Sequence, residues 1–133
     1  MKQLTLIIGG DLAPTQSNYS VFENGSVDSI IDGRILDYIS STDFRIFNLE
    51  VPLSDIRKPI RKDGPTLIAP ASTIKGIKLI GPDVLTLANN HILDQDEQGL
   101  FRTIELLDNN GIKYVGAGKN LEEAAIPLIL EKN

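Results

Sequence analysis

The chain has 133 residues, 41% of them hydrophobic and 23% charged, the balance of one soluble globular domain rather than a disordered segment. Its formal net charge of −5 excludes the basic footprint needed for a sequence-independent grip on nucleic acid, and disfavours an anionic membrane surface as partner. Without cysteine there is neither a disulfide nor a thiolate metal site, so any metal would draw on Asp, Glu, Asn and His, a ligand pool suited to hard or borderline divalent cations.

Residues 4–8 form a compact apolar, partly β-branched run that predicts a first strand. The run is too short for the core of a signal peptide, and no apolar stretch approaches the roughly 18 residues of a membrane span. The chain is therefore expected in the cytoplasm, without direct membrane insertion. Gly9-Gly10 predicts a stop to the strand that presents Asp11 at its C-terminal end. Residues 12–27 are polar and rich in turn formers, which predicts a long loop of the kind that often carries function. Asp28 is placed to cap a helix whose apolar face holds Ile30, Ile31, Ile35, Leu36 and Ile39.

Residues 44–47 predict a second strand, followed by Asn48-Leu49-Glu50 and closed by Pro52. Residues 57–62 carry Arg57, Lys58, Arg61 and Lys62 in an irregular surface loop, whose charges either face solvent or meet an anionic substrate. Residues 66–68 are read as a short strand, and residues 73–79 as a helix opened by Pro70-Ala71-Ser72. Residues 84–88 predict a third strand, a continuous apolar run that ends in Asn89, Asn90 and the only histidine, His91. An acidic turn then starts a helix with Leu100, Ile104 and Leu107 on one face, closed near Gly111 by a left-handed cap. Residues 113–115 predict a fourth strand, Asn120 caps a short helix, and residues 127–130 predict a last strand left uncovered. That exposed edge is expected to favour a homodimer through the sheet edge. Strands alternating with helices predict an α/β fold of β-α-β units on a largely parallel sheet.

Gly116-Ala117-Gly118-Lys119 is not a phosphate loop, because position 113 is Lys113 and position 120 is Asn120 where the pattern needs Gly and Ser or Thr. The pattern that survives is the succession of strand ends: Asp11, Glu50 and Asn90-His91. In a parallel sheet these ends line one edge, where open α/β sheets bind ligands. Carboxylate, carboxamide and imidazole there suit Mn, Fe, Zn or Mg, which would lower the pKa of a bound water and clamp phosphoryl oxygens.

Gly10-Asp11, Asn48-Leu49-Glu50, Ala88-Asn89-Asn90-His91, Asp94, Gly99-Leu100, Gly111-Ile112 and Gly116-Ala117-Gly118-Lys119-Asn120 together resemble the CapA-like capsule-synthesis family. That family is associated with poly-γ-glutamate production and belongs to the calcineurin-like metallophosphoesterase superfamily; many of its members are associated with the cell envelope. The resemblance implies half of a metallophosphatase-like αββα sandwich with divalent metals at the strand ends. By position it makes Asp11, Glu50 and Asn90 metal ligands, His91 the catalytic histidine that protonates a leaving group, and Asn48 and Asn89 substrate-binding residues. The expected partner is a phosphoester substrate or an anionic capsule polymer, and the expected activity is a metal-dependent hydrolysis. Two departures qualify the implication: Ala13 stands where the superfamily has a histidine ligand, and no histidine follows His91. The chain is accordingly expected to be the N-terminal portion of such a domain or a truncated form of it. The competing expectation is a non-catalytic accessory protein that binds or helps export the polymer.

Overall fold

The computed structural model describes residues 3–132. Four parallel strands, β1 (Leu6–Leu12), β2 (Phe44–Leu49), β3 (Val84–Thr86) and β4 (Lys113–Val115), form one sheet in the order β1-β2-β3-β4. Helices α1 (Tyr19–Asn24), α2 (Gly33–Ser40), α3 (Ile74–Ile80), α4 (Asp96–Asn109) and α5 (Leu121–Ala124) lie between or after them. This is the expected α/β fold of alternating units. Among the described residues no helix is long and apolar enough to cross a membrane.

A strand order that never reverses has one consequence for the layers. Crossovers between parallel strands share one hand, so each returns over the same face of the sheet. The buried side of β2 and β3, with Leu49, Leu85 and Leu87 fully buried, packs against Ile77 and Ile80 of α3 and Leu100, Leu106 and Leu107 of α4 in a single core. On the opposite side, Leu6 and Phe44 are in register, as are Ile8, Ile46 and Val84. There Leu6 is 52% and Ile8 73% exposed. The sheet is thus covered fully on one face only.

Several local expectations are corrected. The first strand does not stop at Gly9-Gly10 but continues to Leu12 through a register shift between Ile8 and Asp11. A side chain at Gly9 would meet the Phe47 ring at 2.2 Å, so the glycine lets β2's aromatic lie against β1. The expected loop 12–27 contains α1, which forms because Phe22 buries against α3; a Cβ at Gly76 would stand 2.6 Å from the Phe22 Cα. The second helix is capped by Asp32, which accepts from the Arg34 amide at 2.9 Å, whereas Asp28 sits in a preceding 3-10 turn. Residues 66–68 form no strand, because the Leu67 amide and carbonyl are taken by the side chains of Asp94 and Gln95. Residues 127–130 do not join the sheet, although Pro127 and Leu128 lie near Tyr114, so the edges are β1 and β4. Pro127, with no amide hydrogen to offer a ladder, opens that segment. The turn at Gly111 (φ 69°) and the Asn120 cap on the Glu123 amide are as expected.

Two carboxylates fasten the lower end of the sheet. Asp83 grips Arg45 through Nε at 2.8 Å and a second guanidinium nitrogen at 2.9 Å. Asp43 accepts from Lys132 and from the backbone and hydroxyl of Thr5, and these contacts lower its pKa from the ordinary 3.8 to about 2. A carboxyl depressed on folding contributes stability above its unfolded pKa and loses it as pH falls through the folded value. Asp43→Asn is therefore expected to flatten the fall in stability between pH 3.8 and about 2, read by denaturant unfolding at each pH.

Candidate functional site

The C-terminal ends of β1, β2 and β3 meet along one edge, and their polar residues are joined by hydrogen bonds. Asp11 and Asn48 are register partners, and Asn48 Nδ2 donates to Asp11 Oδ1 at 2.6 Å. Asn48 Oδ1 accepts from Thr86 Oγ1 at 3.1 Å and from Asn89 Nδ2 at 3.2 Å. Asn89 Nδ2 also donates to the Leu49 carbonyl, while its Oδ1 accepts from the amides of His91 and Ile92 at 2.9 and 3.0 Å. These carboxamides brace the three strand ends and fold the chain after β3 into a turn that aims His91 along the edge. Asn90 is exposed beside them.

His91 lies between two acids. Its Nε2 is 3.9 Å from Glu50 Oε1, and its Nδ1 is 2.6 Å from Asp94 Oδ2. Asp94 is fully buried. Burial pushes the Asp94 carboxyl up, but donation from the Leu67 amide (2.6 Å), Lys62 (2.5 Å) and His91 outweighs it and holds the pKa below the ordinary value. Asp94 is a residue whose role sequence reasoning missed.

The basic loop is irregular, as expected, but two of its four charges are paired, Lys62 turned inward and Lys58 at the surface. Lys62 Nζ reaches Asp94 and also lies 3.3 Å from the Asn90 carbonyl and from His91 Nδ1. Lys58 Nζ pairs with Asp96 at 2.9 Å, and the Lys58 amide donates to the buried Gln95 Oε1. The Ile60 amide donates to the Asp94 carbonyl at 3.0 Å. Residues 58–67 are thus fastened over the 91–96 turn, which includes Asp96 at φ 60°, a left-handed conformation unusual for a residue with a side chain. Arg57 and Arg61 remain exposed.

A divalent cation can be tested against these donors. Glu50 and His91 present an oxygen and a nitrogen close enough to share one ion, and among the described residues one oxygen of the exposed Asp11 carries no hydrogen bond. The donor chemistry fits such an ion. Among the described residues, however, no group of three Asp, Glu or His is gathered for it. Asn90, a carboxamide outside that set, is the remaining donor at this edge.

A family model described as "Bacterial capsule synthesis protein PGA_cap" matches residues 5–133. The chain is 29% identical over 125 residues to the capsule biosynthesis protein CapA of Bacillus anthracis, covering 92% of this chain and 30% of that protein. It is 37% identical over 83 residues to a probable polyglutamine synthesis accessory protein of Mycobacterium tuberculosis, covering 62% of this chain and 22% of that one. An uncharacterized protein of Sinorhizobium fredii is 28% identical over 102 residues, 73% of this chain and 22% of its own length. The chain therefore spans under a third of the length of these relatives.

Proposed function

Because this chain belongs to the PGA_cap family of bacterial capsule synthesis proteins, we propose that it supplies the acid-and-histidine edge of a metal-dependent hydrolytic site used in capsule or poly-glutamate biosynthesis. The observation that carries this reading is the row Asp94, His91, Glu50 at the ends of parallel strands, with an imidazole held between a buried and a half-exposed carboxylate. In this reading Asp11, Glu50 and Asn90 hold a divalent cation from the group Mn, Fe, Zn and Mg. When bound, that cation supplies Lewis acidity and an activated water for attack on a phosphoester or a related anionic substrate. His91 handles the proton of the reacting group at Nε2. Asn48 and Asn89 shape the floor on which substrate sits, and Arg57 and Arg61 draw in its negative charge.

Metal titration tests the reading on the chain as it stands. Stoichiometric Mn is expected in the wild type by calorimetry and elemental analysis, with binding weakened at least about tenfold in Glu50→Ala. No Mn at saturating concentration would overturn the metal-dependent reading. A second reading would then stand, favoured by the exposed Arg57 and Arg61 of the basic loop and by the word "accessory" in the mycobacterial relative's description: a non-catalytic module that binds an anionic polymer. In that case Arg57→Glu with Arg61→Glu weakens a salt-dependent association with poly-γ-glutamate.

A further inference from the structure

We infer that Asp94, with Lys62 as its counter-charge, is the positioning residue of this site, holding His91 with its proton on Nδ1 so that Nε2 is the working nitrogen facing Glu50. The inference deepens the hydrolytic reading, but its evidence is geometric and its test does not pass through activity.

The position of the proton follows from what each atom can do. An ionised carboxylate only accepts, so a 2.6 Å contact between Asp94 Oδ2 and His91 Nδ1 places the hydrogen on Nδ1. The neutral ring then carries its lone pair on Nε2. Glu50 Oε1, 3.9 Å from Nε2, is beyond hydrogen-bonding reach and does not claim that nitrogen.

Asp94 is itself fixed. Its two oxygens accept from three donors on three separate stretches of chain: the Leu67 amide, Lys62 Nζ and the His91 ring. A helix-capping role does not account for it, since α4 begins at Asp96 with Gln95 at the cap position and no side-chain cap bond. Lys62 balances the buried negative charge and ties the carboxylate to the basic loop. Its 3.3 Å approach to Nδ1 is crowding rather than a second bond, because an ammonium cannot donate to a nitrogen that already carries hydrogen.

His91 is the only histidine, so its ring signals need no assignment. A two-bond proton–nitrogen correlation spectrum of the wild-type chain, recorded at a pH where the ring is neutral, separates protonated from bare ring nitrogens. A single tautomer with hydrogen on Nδ1 is expected. Hydrogen on Nε2, or an averaged mixture, overturns the inference. In Asp94→Asn the spectrum is expected to lose that single tautomer; a folded Asp94→Asn that keeps the wild-type tautomer overturns it equally. Should Asp94→Asn not fold, Lys62→Met decides beside the wild type: Nδ1 stays protonated if Asp94 sets the tautomer, and a switch to Nε2 overturns the assignment to Asp94. Failure of the broader reading looks different, with an Nδ1-protonated ring in a chain that binds no Mn.

Discussion

Asp94→Ala is expected to cost about 3 kcal/mol of unfolding free energy, because the carboxylate removed is fully buried and shared by three donors. The loss has three parts. Lys62, whose side chain is 20% exposed, keeps its charge in a half-buried setting without a counter-ion. The Leu67 amide loses its acceptor inside the fold, and a buried donor left unsatisfied costs about 1–3 kcal/mol. The His91 ring loses its anchor and the 58–67 segment one of its ties to the 91–96 turn. Lys62 can swing partly into solvent, which keeps the total toward the lower end of the 3–5 kcal/mol typical of broken buried pairs. Urea unfolding should show a lower midpoint with an unchanged slope. A loss below about 1 kcal/mol would mean that apolar contacts, not this carboxylate, hold the loop.

The second large effect separates the two faces of the sheet. Leu85 is fully buried in the middle of β3, in the core shared with α3 and α4, and Leu85→Ala is expected to cost about 3 kcal/mol through lost burial and the cavity left behind. Ile8→Ala, at a residue 73% exposed on the opposite face of β1, is expected to change stability by less than about 0.5 kcal/mol. Similar losses in both variants would show that the open face is covered in solution, and thermal or urea unfolding of the pair reads the difference.

The polar edge of the sheet was legible in the sequence where a polar side chain falls at or just after the end of an apolar run. Asp11, Glu50 and His91 each follow a short apolar run, and parallel pairing brings the ends of such runs to one edge. Asp94 was not legible. In the sequence it opens a run of acidic and amide residues that reads as a solvated helix start, and only the turn after β3 rotates it inward. Its signals were its place in the family motif, which assigned it no role, and the spacing of three from His91, within reach across a single turn. Helix α1 was hidden because its six residues are flanked by turn formers, and a long-range contact between Phe22 and Gly76 stabilises what local propensity does not. The short strand expected at residues 66–68 failed for the converse reason: side chains from the 94–95 turn occupy the backbone groups a ladder would have used.

The unreversed strand order also bears on how the chain is made. Each strand lies beside the one synthesised just before it, so a nascent chain can extend the sheet at its growing edge without waiting for a distant segment. The exception is the basic loop. It leaves the ribosome some thirty residues ahead of the Asp94 carboxylate that fastens it (Lys62 and Asp94 are 32 apart), so its lysines remain solvated while β3 is added. That loop can be fastened over the strand ends only after β3 and the turn that follows it have been added, so the cover of the site comes later than the three strands that carry it.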